Sequence, residues 1–245
     1  MAHVATPLFG SSVTSSTSAT FTFSAAVSAG HTLIGAVNTT VVSATPTITV
    51  VDSKSNTYTV DAQVDSNSTD LTVVFSANIT NALTTSDTLT ITFNDGTHNR
   101  WAISVEEFDD IMTTPRDKTV INGGIGTSMT STATATTTAA NELVFGGFGV
   151  ANSSAKTFTV GSGFSSSTYR TTSAGSSDRG VWNEWQYVTS TGAQTAAATV
   201  SVSTTWSAVA VTYKTQTAAS FNEFIAKGGT WQGVDVFTLQ GGSWQ

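Results

Sequence analysis

The chain has 245 residues, room for one large domain or two small ones, and only 10% of them are charged. Nine basic residues stand against sixteen acidic ones, and a net charge of −7 argues against binding a nucleic-acid backbone, which needs clustered Lys and Arg. Cysteine is absent, which rules out disulfides, thiolate metal sites and cysteine nucleophiles.

Serine and threonine fill about a third of the chain. Threonine is stiff at its first torsion and favours strands, so the composition suits a rigid sheet protein. Residues 1–17 read as an N-terminal arm. They carry no basic region followed by an apolar run, so a signal peptide is not expected, and no stretch reaches the ~20 apolar residues that cross a bilayer.

Alternating apolar and polar residues run from about 18 to 214. Phe21 and Phe23 begin the series, and His31-Thr32-Leu33-Ile34-Gly35-Ala36-Val37 follows. The runs 47–51 and 56–60 flank Asp52-Ser53-Lys54-Ser55 and predict a hairpin. Further strands are expected at 71–75, 88–93, 101–105, 130–138, 142–146, 164–171, 180–189, 195–203 and 205–214. Short strands with turns between them predict an all-β sandwich, jelly-roll-like or immunoglobulin-like. Residues 111–126, with Pro115 and Gly123-Gly124, read as a crossover between halves 18–110 and 127–215. Gly/Ser-rich 161–180 reads as a loop or frayed edge.

Residues 216–245 differ in kind. Ser220-Phe221-Asn222-Glu223 has the form of a capping box, and Phe221, Phe224 and Ile225 follow at helical spacing. Lys227-Gly228 supplies a stop, which predicts a short helix over 219–227. Residues 231–239 then read as a strand with apolar groups on both faces. So short a helix is unstable alone in water, and this tail must dock. Phe221, Phe224, Ile225, Trp231, Phe237 and Trp244 are its candidate assembly contacts.

The residues offer little chemistry. Glu106, Glu107, Asp109 and Asp110 form the densest acidic cluster, yet adjacent strand residues point to opposite faces, so Glu106 and Glu107 cannot form a glycosidase pair. His3, His31 and His98 are far apart and lack ligand-like neighbours. Residues 52–56 superficially resemble a calcium loop, but Lys54 sits inside and no downstream Glu completes the shell, so they read as a turn. No catalytic, cofactor or metal site is predicted. Trp185 and Tyr187, on one face of a strand, are candidate glycan contacts, with burial of that face the competing expectation. Trp206 is expected in the core.

Several segments resemble a Ser/Thr-rich sandwich domain that recurs in phage structural proteins and bacterial surface proteins. They are Ser28-Ala29-Gly30-His31-Thr32-Leu33-Ile34, Val50-Val51-Asp52-Ser53-Lys54-Ser55-Asn56-Thr57-Tyr58, Ala102-Ile103-Ser104-Val105-Glu106-Glu107-Phe108, Asn141-Glu142-Leu143-Val144-Phe145-Gly146, Gly161-Ser162-Gly163-Phe164 and Thr205-Trp206-Ser207-Ala208-Val209-Ala210-Val211. Ser55 departs from the Gly usual at that turn. The resemblance covers about 18–214 and implies a non-enzymatic structural protein of a virion, a capsid decoration or minor capsid protein or a tail component, made in the host cytoplasm. Other virion proteins and further copies of the chain are the expected partners, with no cofactor, nucleic acid or membrane. A carbohydrate-binding or adhesive module of a bacterial surface protein is the alternative.

Overall fold

A computed structural model describes residues 3–43, 45–151, 156–172 and 178–216, and the backbone of 226–227 and 230–231. Every regular element among them is a strand. Strands β1 (His3–Ser12), β3 (Thr32–Thr40), β5 (Thr59–Ser66), β6 (Asp70–Asn78) and β8 (Trp101–Phe108) form a five-stranded antiparallel sheet in the order β1-β8-β3-β6-β5. A three-stranded sheet of β2 (Ser18–Thr22), β7 (Thr88–Phe93) and β4 (Ile48–Asp52), in the order β2-β7-β4, lies on one of its faces. Phe21, Phe23, Leu89, Ile91 and Phe93 of the smaller layer meet Leu33, Val37, Val73, Phe75, Trp101, Ile103 and Val105 of the larger in one core.

The described residues between 111 and 215 repeat this plan. Strands β9 (Ile111–Thr130), β10 (Glu142–Ala151), β14 (Arg179–Val188) and β15 (Ala197–Thr215) run in the order β9-β15-β10-β14, with β12 (Ser165–Ser166) and β13 (Arg170–Thr171) along the far edge and β11 (Phe158–Thr159) on the first part of β15. The register shows the equivalence. Gly35 stands between Val105 and Phe75, and Gly146 between Ala210 and Glu184. Counting from these pairs places Trp101 on Trp206, Phe108 on Tyr213, and Leu8 on Val120. The chain is two copies of one sandwich plan, in which β9 corresponds to β1 and the single strand β15 does the work of β7 and β8.

The two units pack back to back through the same face. Ile34, Ala36, Val74, Ala102 and Phe108 of the first unit meet Leu143, Phe145, Val181, Trp185, Val209, Val211 and Tyr213 of the second. A third core covers the outer face of the second unit, where Phe148, Val150, Trp182, Trp206 and Ala208 lie beneath Phe158, Val160, Phe164 and Tyr169. Antiparallel sheets usually wet one face. Here both large sheets are covered on both faces, which is why β3, β8 and β10 are buried along almost their whole length. Close approach of the sheets depends on Gly147, where an added Cβ would fall 2.7 Å from Val74 Cγ2 and 3.2 Å from Ala36 Cβ.

Several local expectations change. Residues 1–17 include β1, an integral edge strand rather than an arm. Residues 111–126 belong to β9, which pairs along β15, so the link between the units is only Asp109-Asp110. The strands around residues 52–56 lie in different sheets and form no hairpin. Asp52 makes this passage instead. Its Oδ1 accepts the N–H groups of Lys54 at 2.9 Å and Asn56 at 3.1 Å, and its Oδ2 accepts from Asn56 Nδ2 and the Tyr58 hydroxyl. Ser55 has φ 62°, the conformation that glycine would take most easily. Most of the helix expected at 219–227 lies outside the described residues. Its end, β16 (Ala226–Lys227), pairs antiparallel with β17 (Thr230–Trp231) and is extended.

Candidate functional site

Glu106 and Glu107 point to opposite faces of β8, as strand alternation requires. Glu106 is fully buried on the face shared by the two units. Its Oε2 accepts from Thr6 Oγ1 at 2.6 Å and lies 3.0 Å from His3 Nε2, while its Oε1 accepts from Ser104 Oγ at 2.9 Å and Asn183 Nδ2 at 3.3 Å. Glu107 faces the other way, with Oε1 2.7 Å from His31 Nδ1 and 3.4 Å from the Ser28 N–H that it accepts. His98 Nε2 likewise meets Asp95 Oδ1 at 2.7 Å. Each of the three histidines thus joins one carboxylate and ties a strand or loop to its neighbour. Neither glutamate presents a free oxygen pair to a cleft.

The aromatic pair is also occupied. Trp185 is 7% exposed in the core between the units, its ring stacked on His3 at 4.2 Å between centroids and edge-on to Phe108. Its indole face is therefore closed to a sugar, and the glycan contact expected there is withdrawn. Tyr187 is half-buried on the same face and donates its hydroxyl to Asp110 Oδ1 at 3.0 Å. Trp206 is buried in the outer core, as expected. Of the tail residues, Phe221, Phe224, Ile225, Phe237 and Trp244 lie outside the described residues, and Trp231 is described only by its backbone pairing with Ala226.

A polar cluster that the sequence did not suggest crosses the interface between units. Asn38 Nδ2 donates to Asp70 Oδ1 at 2.7 Å and to Thr72 Oγ1 at 2.8 Å. From the other unit, Ser207 Oγ donates to Asp70 Oδ2 and lies 2.5 Å from Thr72 Oγ1, while Arg179 Nε stands 3.8 Å from Asp70 Oδ1. Burial pushes the Asp70 carboxyl up to about 6, against the pull of these donors and of Arg179. Gly149 makes the room, since a Cβ there would fall 1.9 Å from both Asn38 Nδ2 and Thr72 Oγ1. A serine beside a carboxylate evokes nucleophilic chemistry, but Ser207 is fully buried and no histidine reaches it. The cluster is enclosed between the units and joins them. Its only trace in the sequence is polar residues at inward strand positions, which a Ser/Thr-rich chain conceals.

Two shallow grooves lie on the surface of the described residues. One shallow groove of about 400 Å³ is lined by Phe9, Ser11, Tyr169, Arg170 and Thr171, with the Arg170 guanidinium 3.7 Å above the Phe9 ring. Another, about 340 Å³, runs over Met129, Gly161 and Ala197. Beneath it Glu184 accepts the N–H groups of Gly161 and Ala197, both at 2.9 Å. No cluster of three or more potential metal ligands occurs among the described residues.

The fold defines an all-β protein of stacked antiparallel sheets. No known protein family, curated protein or solved structure matches the chain.

Proposed function

We propose that the protein is a non-enzymatic structural component of a phage virion, a capsid decoration or minor capsid protein or a tail component, anchored through residues 216–245. The observation that carries this reading is how the reactive groups are used. Glu106, Glu107, Asp70 and all three histidines are committed to contacts that hold strands and layers together. The apolar tail that follows β15 is left as the segment suited to a partner. Rigid hydroxyl-rich strands that lose little side-chain entropy fit a repeated building part. The glycan-binding alternative loses its best feature with the burial of Trp185.

The test is composition of purified particles. Mass spectrometry should find the chain at a fixed stoichiometry, and labelled micrographs should place it at regular positions. Absence from particles, or glycan turnover that disappears in Glu106→Gln, would defeat the reading.

A further inference from the structure

The equivalent strands β1 and β9 are both edge strands, and they are guarded very differently. Exposed sheet edges invite pairing with another chain unless proline, bulges or charged side chains block them. In β1, Pro7 removes a donor, two register shifts break the ladder between His3 and Leu8, and the Arg170 guanidinium lies over the ring of Phe9, which is still 41% exposed. In β9, residues 119–126 pair with residues 204–211 of β15 in unbroken register. This stretch contains no proline and no charged residue. Ile121, the counterpart of Phe9, is 48% exposed, and Ile125 is 70% exposed. No strand among the described residues lies on the outer side of β9.

We propose that this outer edge accepts, as an added strand, residues 230–239 of a second copy of the chain. Strand addition supplies main-chain hydrogen bonds, and apolar side chains fit the alternate pockets of the edge. Residues 230–239 suit such an edge, with Val234, Val236, Phe237 and Leu239 and only Asp235 charged. The length of chain decides which copy supplies them. Gln216 leaves β15 bonded to the carbonyls of Asp110 and Ile111, at the start of β9. Even fully extended, the path from Gln216 to Lys227 reaches no further along β9 than about Asn122. Lys227 pairs antiparallel with Thr230, so a strand that begins at Thr230 runs opposite to Ala226–Lys227. Within one chain, the strand proposed at 230–239 would then run back along the proline-containing, charged part of β9, so the proposal assigns the cover of Ile125 to another copy's tail. Such a contact is head-to-tail and propagates around a ring or along a filament.

This rests on reading the tail as an anchor, but it is tested on the purified full chain, whereas location in a particle is not, so either can fail alone. The cysteine-free sequence permits a direct assay. Ile121→Cys and Phe237→Cys proteins are mixed and oxidised. Mixed disulfide dimers should form at least about tenfold faster than with Val13→Cys, exposed at the end of β1, in place of Ile121→Cys. Ile125→Lys, at a position too exposed to carry the fold, should abolish the cross-link and shift sedimentation to monomer with an unchanged melting temperature. Cross-linking confined to single chains of the double variant, or equal rates at Val13→Cys and Ile121→Cys, would overturn the proposal.

Discussion

Glu184 occupies the position that Phe75 holds in the first unit, facing an apolar core. Burial pushes its carboxyl from the ordinary 4.5 up to about 7, against the two N–H groups that favour the charged form. A folded pKa above the unfolded one means that stability is fully present below about 4.5 and is lost as pH rises through 7. At 1.36 kcal/mol per pH unit, the charged form costs up to about 3 kcal/mol at alkaline pH. Asp70, pushed up from 3.8 to about 6, adds a loss of the same sign at lower pH. Denaturant melts should therefore show the protein losing stability as pH rises from about 4 to about 7, and Glu184→Gln should flatten the upper part of that fall. An unchanged slope in the variant would mean that Glu184 is solvated. Trp206, buried in the outer core, is a simpler case. Its replacement by Ala should cost about 3–5 kcal/mol, as for other buried aromatics, and calorimetry will read it directly.

At the scale of elements, the sequence announced strands well and their connections poorly. Alternation revealed β2, β3, β6, β7, β8, β10, β14 and both parts of β15, because period-2 patterning is local. The role of residues 111–126 was hidden, since Pro115 and Gly123-Gly124 look like loop signals. Gly124 is in fact where the backbone passes Trp206, with a Cβ position only 2.8 Å from its ring. The two-unit plan was hidden for a related reason. Few equivalent residues remain alike beyond Gly35 with Gly146 and Trp101 with Trp206, while Phe75 and Glu184, or Asn38 and Gly149, share only a position. The Asp70 cluster joins residues over a hundred positions apart, and no spacing rule reports that. Interface packing yields a prediction at this scale. Gly147→Ala should destabilise by about 1–3 kcal/mol through overpacking against Val74 and Ala36, and a neutral result in chemical denaturation would mean that the sheets can part without cost.

For the whole molecule, the shared core between units makes cooperative behaviour the expectation. The two large sheets are buried against each other, so neither unit can unfold without exposing Ile34, Phe108, Phe145 and Tyr213. One calorimetric transition is expected, and two well-separated ones would mean that the units are thermodynamically independent. The wider claim is that this body is a rigid part whose attachment resides in residues 216–245. The most direct measurement compares occupancy on particles of the full chain with that of a chain ending at Thr215, after checking that both melt at the same temperature. The account predicts an intact fold and loss of the shortened chain from particles. Full occupancy without the tail, or unfolding on its removal, would contradict it.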